Sequence, residues 1–184
     1  MRVIAGTARS VPLLSREGLD TRPTSDRVKE AIFNIIQFEL EGRRVLDLFG
    51  GSGQLAIEAL SRGASHAVIV DQSKESVSVI RQNLTKTNLL AQAEIVCADY
   101  QYYLNHAKER FDIIFLDPPY REKFLENALN RISEIDILKT GGIIICERPA
   151  EKALPDHYPA FRRVRDYRYG NTGITLYRAD ALLS

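Results

Sequence analysis

The chain has 184 residues, of which 45% are hydrophobic and 27% charged, with a net charge of +1. This length favours a single domain large enough to bury a sheet between layers of helices. No apolar stretch approaches the roughly 20 residues of a membrane span. The first ten residues also lack the apolar core of a signal peptide. We therefore expect a cytoplasmic protein.

The two cysteines, Cys97 and Cys146, both lie in strongly apolar runs. Such positions predict small buried side chains. Their spacing matches neither a metal site nor a disulfide framework, so we expect no bound metal.

Charge is distributed unevenly along the chain. Residues 1–44 carry a net charge of +2, residues 45–147 carry −4, and residues 148–184 carry +3. If a polyanion binds, the terminal segments are expected to contact it. Ordinary scatter of surface charge explains this distribution equally well.

The first 44 residues predict a small N-terminal extension that packs on a main domain of residues 45–184, because they are too few for an independent core. Residues 2–6 and 10–14 could form a small hairpin. Thr24 or Ser25 is then expected to cap a helix. The apolar face of this helix comprises Val28, Ala31, Ile32, Ile35 and Ile36.

From residue 45 onward, short apolar runs alternate with longer amphipathic segments. The runs suit parallel strands that are buried on both faces, and they cover residues 45–49, 67–71, 93–99, 112–117 and 142–147. Helical spacing appears at 53–62, 73–87 and 121–137. Residues 162–170 and 173–178 alternate polar with apolar, which predicts an antiparallel hairpin. The predicted fold is α/β, with a seven-stranded, mostly parallel sheet.

A glycine-rich loop lies directly between the first of these strands and a helix. Gly50, Gly51 and Gly53 allow a tight turn and close approach of the backbone to a ligand. The loop nearly fits a dinucleotide-binding fingerprint, so a nicotinamide-dependent oxidoreductase is one candidate. Asp47 argues against it, because a carboxylate there would repel a pyrophosphate and attract a ligand's ammonium group.

Carboxylates end the next two predicted strands as well. Asp71 is suited to accept hydrogen bonds from ribose hydroxyls, and Asp99, which precedes Tyr100, from an adenine amine. For each aspartate taken alone, a helix N-cap is the better explanation. Carboxylates at the ends of three successive strands favour a ligand site, because open α/β sheets bind ligands along that edge.

The fourth of these strands ends in the sequence Asp117-Pro118-Pro119-Tyr120. The prolines restrict the backbone and provide no N–H, so this loop presents acceptors. Accepting both hydrogens of a planar amino group would position it and favour positive charge on its nitrogen. Tyr120 offers a face on which a splayed base can stack. A proline turn with an exposed tyrosine is the simpler alternative.

Together these motifs resemble the class I, Rossmann-like methyltransferases that modify amino groups. Over nearly the whole chain, RVIAGTARS, RPTSDRVKEAIFNII and VLDLFGGSGQLAIEALSRGA are similar to the bacterial 16S ribosomal RNA guanine-N2 methyltransferases of the RsmD family. The tail DYRYGNTGITLYR is similar too. Gly51 stands where that family often has alanine.

The resemblance implies S-adenosyl-L-methionine as cofactor. The cofactor pocket would then be lined by Thr24, Asp47, Phe49, Gly50, Gly51, Gly53, Asp71, Gln72, Asp99 and Tyr100. It also implies that Asp117, Pro118, Pro119 and Tyr120 hold the guanine, and that Thr24 or Arg22 reaches the cofactor's methionine end. Candidate RNA contacts are Arg9, Arg16, Arg22 and Arg27. For any one of these arginines, a solvated basic surface is an equally good explanation.

The expected reaction is direct methyl transfer to N2 of a guanine in 16S ribosomal RNA, by a monomer acting on a small-subunit particle. Adenine-N6 and glutamine-N5 methyltransferases share this Asp-Pro-Pro-Tyr chemistry. Only the RPTSDRVKEAIFN segment favours guanine over them.

Overall fold

In a computed structural model of the protein, which describes residues 1–16, 25–120 and 123–180, the chain forms a three-layered α/β fold. The helices are α1 (Asp26–Ile35), α2 (Gln54–Ser61), α3 (Lys74–Lys86), α4 (Tyr100–His106) and α5 (Phe124–Glu134). The strands are β1 (Arg44–Asp47), β2 (His66–Asp71), β3 (Ala93–Cys97), β4 (Phe111–Leu116), β5 (Leu138–Pro149), β6 (His157–Tyr158), β7 (Phe161–Tyr169) and β8 (Thr172–Ala179).

All of these strands belong to one sheet, in the order β3-β2-β1-β4-β5-β8-β7-β6. In the part of the sheet that runs from β3 through β2, β1 and β4 to β5, all neighbouring strands are parallel. Strand β8 pairs antiparallel with both β5 and β7. The predicted parallel strands and the C-terminal antiparallel hairpin are therefore confirmed. The strand order reverses between β1 and β4, and such a reversal opens a crevice at the carboxyl ends of the strands.

Helices cover both faces of the sheet, which explains the nearly continuous apolar runs of its central strands. One core packs α1, α2 and α3 on side chains such as Val45, Ile69, Phe115 and Ile145. The opposite core packs α4 and α5 on the alternate residues of the same strands, such as Leu46 and Leu116. The two-residue period of a strand thus assigns each position to one face.

The sheet has eight strands among the described residues, so the prediction of seven was wrong. The additional strand, β6, is only two residues long and has no alternation that a sequence pattern could reveal. Tyr158 of β6 packs against Phe161 and Tyr177. Helix α4 was not predicted either; seven residues are too few to show helical spacing clearly.

The N-terminal residues lie against the core that contains α1 and α2. Where a hairpin was considered, Arg2 and Pro12 form an antiparallel β-bridge, and backbone N–H groups of Val3 and Leu13 donate to the carbonyls of Val11 and Met1. Val3, Ala8 and Leu13 are buried. Glu58 of α2 accepts hydrogen bonds from the backbone N–H groups of Ile4 and Ala5. A domain boundary between residues 44 and 45 stays a prediction.

Helix α1 begins at the predicted Ser25 cap, whose side chain accepts from the N–H of Val28. Its predicted apolar face is confirmed in part: Val28, Ile32 and Ile36 are buried and Ala31 and Ile35 are partly buried. The helix also buries Lys29 and Phe33, which were not predicted. Cys146 is buried as expected, but Cys97 is exposed, contrary to the prediction. Cys97 ends β3, an edge strand, and therefore has a neighbouring strand on one side only. In the described part of the chain, no helix is both long and apolar enough to cross a bilayer.

Candidate functional site

A cleft of about 580 Å³ lies at the carboxyl ends of the parallel strands. It collects segments that are far apart in sequence: the glycine loop after β1, the ends of β2 and β3, the Asp-Pro-Pro-Tyr loop after β4, and the end of β5. Of the residues predicted for the cofactor and the base, it is lined by Asp47, Phe49, Gly50, Gly51, Asp71, Gln72, Asp99, Tyr100, Asp117, Pro118, Pro119 and Tyr120. The structure thus brings together both groups of predicted residues, those for the cofactor and those for the base.

Strand alternation explains why carboxylates converge on this cleft. Asp47, Asp71 and Asp117 each follow by two residues a side chain of the core that contains α1 to α3, namely Val45, Ile69 and Phe115. Because successive side chains point to opposite faces, these aspartates share that face of the sheet. Glu147 follows Ile145 in the same way.

The glycine loop packs closely on the strand beside it. A Cβ atom on Gly50 would lie 2.6 Å from Cγ2 of Ile69 and 3.2 Å from the carbonyl oxygen of Val70. Gly53 does not line the cleft. It begins α2 as an N-cap in the left-handed region, at φ +81°, a conformation that glycine adopts without a steric penalty. Gly53 therefore shapes the loop instead of contacting the cleft.

Backbone donors position the carboxylate of Asp71. Its Oδ2 accepts from the N–H of Gly51 at 2.9 Å, and its Oδ1 accepts from the N–H of Ser73 at 2.8 Å. Ser73, not Asp71, caps α3. A carboxylate can accept about four hydrogen bonds, so this one has the capacity to accept from a ligand as well.

Asp99 combines the two roles considered for it. It caps α4, with Oδ1 accepting from the N–H groups of Gln101 at 2.8 Å and Tyr102 at 3.3 Å, and it also lines the cleft. The helix-cap explanation is therefore correct for Asp99 and does not exclude a ligand contact. For Asp47 and Asp71 the cap explanation is wrong, because Gly53 and Ser73 cap the helices that follow them.

Asp47 lies at the floor of the cleft and is only 1% exposed. Burial and the nearby Asp71 carboxylate raise the pKa of Asp47 to about 7, although backbone hydrogen bonds from Phe49 and Ala56 oppose this shift. Its Oδ1 has no hydrogen-bond partner among the described residues, and the same holds for Oε1 of Gln54, another residue of the cleft. Two buried acceptors without partners indicate a site for a ligand that donates hydrogen bonds.

Aromatic rings form one wall of the cleft. Phe49 lies 5.0 Å from Tyr100 and 6.3 Å from Phe124, measured between ring centroids, and Tyr100 lies 5.6 Å from Phe124. The three rings therefore pack on one another beside Asp99. Such a surface is suited to a flat apolar group whose amine reaches a nearby carboxylate.

The Asp-Pro-Pro-Tyr loop forms the opposite side of the cleft. Pro118 is buried, whereas Tyr120 is 39% exposed. The hydroxyl of Tyr120 donates to Oε1 of Glu147 at 3.3 Å. Partial burial and the carboxylate of Glu147 raise the pKa of Tyr120 to about 12, so it stays neutral near pH 7.

The predicted arginines differ in their placement. Arg9 and Arg27 are exposed. Arg16 lines the cleft and donates from Nε to Glu75 at 3.1 Å, so it takes part in the cofactor-side wall. Arg22 and Thr24 lie outside the described residues.

Several cleft residues were missed from the sequence. Phe124 was read only as part of a helix, and Gln54 as part of the helix that follows the loop. Glu147 had a usable signal, because the run GIIICE ends in a carboxylate as the other strands do. No cluster of three or more His, Cys, Asp or Glu suited to a metal occurs within residues 1–16, 25–120 and 123–180.

The chain is similar to proteins of one known family. A family model described as "Conserved hypothetical protein 95" matches residues 1–178. YlbH from Bacillus subtilis is 40% identical over 181 residues, covering 97% of this chain and 98% of YlbH. "Ribosomal RNA small subunit methyltransferase D" from Haemophilus influenzae is 34% identical, covering 97% of this chain and 92% of its own length. The solved structure of yhhF from Escherichia coli superposes with a TM-score of 0.88 at 31% identity, covering 98% of both chains.

Proposed function

Because the chain belongs to the RsmD family of class I methyltransferases, we propose that it transfers a methyl group from S-adenosyl-L-methionine to N2 of a guanine in 16S ribosomal RNA. One observation carries the proposal: a single cleft holds both the carboxylates suited to the cofactor and the Asp-Pro-Pro-Tyr loop suited to an amino acceptor.

The cofactor side of the cleft fits S-adenosyl-L-methionine. Asp47 and Gln54 have buried oxygens that find no partner within the described part of the chain, and these would accept from the methionine ammonium group. Asp71 would accept from the ribose hydroxyls. The adenine would lie against the rings of Phe49 and Tyr100, with its amine near Asp99. This arrangement supports the assignment of these residues to the cofactor, together with Gly50, Gly51 and Gln72.

The other side of the cleft fits a planar amino group. Asp117 lies at the end of β4, where the following prolines restrict its backbone, so it would accept from the exocyclic N–H groups with little loss of conformational freedom. Tyr120 would stack on the base. Its hydroxyl donates to Glu147, which favours one orientation of the ring.

The cofactor would supply an electrophilic methyl group on a sulfonium, an excellent leaving group. The protein's own contribution is to align the amine with that methyl group and to stabilise the positive charge that develops on nitrogen. The Asp117 carboxylate does both, through hydrogen bonds to the amine and through its charge. The buried floor and the aromatic wall restrict water beside these groups, which strengthens the electrostatic effect.

The RNA substrate is proposed from the names of the family relatives and from the exposed Arg9 and Arg27 near the N-terminus. A small-subunit particle, with the protein acting as a cytoplasmic monomer, is the proposed setting. Any contribution of Arg22 and Thr24 falls outside the described residues.

The test is methylation of purified small-subunit particles from a strain that lacks the gene for this protein. Incubation with the protein and S-adenosyl-L-methionine should yield N2-methylguanosine on nucleoside mass spectrometry. Particles from the parent strain, which are already modified, should gain none. A product of N6-methyladenosine, or a methylated protein glutamine without any RNA product, would replace the guanine proposal with one of its two alternatives.

A further inference from the structure

Glu147 is a buried carboxylate that occupies the base side of the cleft. It is 6% exposed and lies near the end of β5. Strands β4 and β5 are parallel, with Leu116 opposite Cys146, and the residues that follow this pair are Asp117, directly after β4, and Glu147, within β5. Neighbouring strands run about 4.8 Å apart, and the alternation described above puts both carboxylates on the same face. The cleft therefore presents two adjacent carboxylates to whatever enters beside Tyr120.

The position of Glu147 is held from two directions. Tyr120 donates its hydroxyl to Oε1 of Glu147. The next residue, Arg148, is also buried and donates to both oxygens of Asp166, at 2.7 and 2.8 Å, and to Oγ1 of Thr175 at 2.8 Å. These bonds join β5 to β7 and β8 directly behind the cleft. The end of β5 is thus anchored before any base arrives.

The pattern of hydrogen-bond donors and acceptors then distinguishes the candidate bases. Guanine presents two adjacent donors, N1–H and the N2 amine, and so it can donate to two neighbouring carboxylates. Adenine presents its N6 amine beside an unprotonated N1, and glutamine presents its amide nitrogen beside a carbonyl oxygen. Either of these acceptors would face a carboxylate, and in a buried site this costs more than the loss of a neutral contact, because a charged acceptor is left without a donor.

Resting on the proposed function, we propose that Glu147 is the residue that selects guanine, by accepting the N1–H while Asp117 accepts from the N2 amine. Glu147 must then accept the N1–H in addition to the bonds that it already makes, among them the bond from Tyr120, and a carboxylate has about four lone-pair positions for this. The Asp-Pro-Pro-Tyr loop alone does not discriminate between guanine, adenine and glutamine. Glu147, which the fold brings beside this loop, does so.

The test uses small-subunit particles reconstituted with 16S RNA that carries either guanine or 2-aminopurine at the nucleotide methylated by the wild-type protein. 2-Aminopurine keeps the N2 amine but has an unprotonated N1. The wild-type protein should methylate it about 10- to 100-fold less efficiently than guanine, in kcat/KM, as expected for a mismatched bond to a charged group. Glu147→Gln, whose amide can donate to N1, should lower kcat/KM for guanine and reduce the preference to within about threefold.

Glu151→Gln, a change at an exposed carboxylate that does not line the cleft, is the matched control and should keep the wild-type preference. Binding of S-adenosylhomocysteine should be the same in all three proteins, which separates recognition of the base from loss of structure. Equal methylation of guanine and 2-aminopurine by the wild-type protein overturns the role of Glu147, even if Glu147→Gln does not fold. Failure of the wild-type protein to methylate guanine N2 at all would instead overturn the proposed function.

Discussion

The two sides of the cleft contain the same kind of group, a carboxylate at a strand end, but hold it differently. On the cofactor side, Asp71 and Asp99 accept from backbone N–H groups of the turns and helices that follow them. On the base side, two prolines remove such donors after Asp117, and Glu147 accepts from a side chain, Tyr120.

One sheet edge can therefore hold two different ligands side by side. Backbone donors orient the cofactor-side carboxylates and moderate their charge, which suits recognition of neutral hydroxyls and amines. The base side places two carboxylates, Asp117 and Glu147, beside the acceptor, and their negative charge suits an amine that becomes positive in the transition state. Changes on the two sides should therefore affect different kinetic parameters.

The largest effect is expected on the base side. Asp117→Ala removes the acceptor that positions the amine and stabilises its charge, so kcat for methylation should fall about 100- to 1000-fold. Affinity for S-adenosylhomocysteine, measured by calorimetry, should stay within about threefold. Asp136→Ala, at an exposed position paired with Arg110, is the control and should leave kcat unchanged. Turnover of Asp117→Ala near the wild-type rate would contradict the assigned role.

A smaller effect of a different kind is expected on the cofactor side. Asp71→Ala removes the proposed ribose acceptor and leaves the N–H groups of Gly51 and Ser73 without their carboxylate. Affinity for S-adenosylhomocysteine should fall about 10- to 100-fold. At saturating S-adenosyl-L-methionine, kcat should recover to within about threefold of wild type. A loss of kcat as large as that of Asp117→Ala would abolish the distinction between the two sides.

Asp47, at the floor of the cofactor side, should make the binding of S-adenosylhomocysteine depend on pH. The pKa of Asp47 is about 7 because of burial and the nearby Asp71, so below pH 7 the carboxyl is largely protonated in the free protein. A ligand ammonium group favours the carboxylate form. Affinity for S-adenosylhomocysteine should therefore rise about tenfold between pH 6 and 8, with proton release that calorimetry in buffers of different ionisation enthalpy detects.

Asp47→Asn should abolish this pH dependence of binding. The stability of the ligand-free protein should change with pH in the opposite direction to its ligand affinity, and so it should fall as the pH rises. A carboxyl whose pKa is raised on folding stabilises the folded state most fully below its unfolded pKa of about 3.9. That contribution is lost as the pH rises towards 7. The free energy of unfolding of wild type relative to Asp47→Asn should fall over this range, by at most about 4 kcal/mol. A flat difference would contradict the raised pKa.

The smallest effect is expected away from the cleft. Arg27 is exposed on α1, and Arg27→Ala should weaken RNA binding about two- to fivefold and reduce the slope of log affinity against log salt by about one. Arg16→Ala should leave this slope unchanged, because Arg16 contacts Glu75 and the cleft. Identical salt slopes for wild type and Arg27→Ala would remove Arg27 from the RNA surface.

Much of the cofactor side could be predicted from sequence because its signals are local. Close packing requires glycine at position 50, and a left-handed backbone favours glycine at position 53. Both glycines lie in the single loop that follows β1. The base side was only half predicted. Asp117 to Tyr120 form a contiguous motif, whereas Glu147 is 30 residues away, and only the pairing of β4 with β5 brings it beside Asp117.

The alternation of strands and helices, the turn after β1 and the restricted loop after β4 follow from the sequence alone, because periodicity, glycine and proline act on neighbouring residues. The strand order β3-β2-β1-β4-β5, which sets carboxylates from five strand ends around one cleft, follows from the tertiary structure. The tertiary structure also decides the charge states and partners of these carboxylates. Burial raises the pKa of Asp47, and the packing of β5 against β8 holds Glu147 in place. Desolvation and pairing depend on residues that are distant in the chain, so no local pattern contains them.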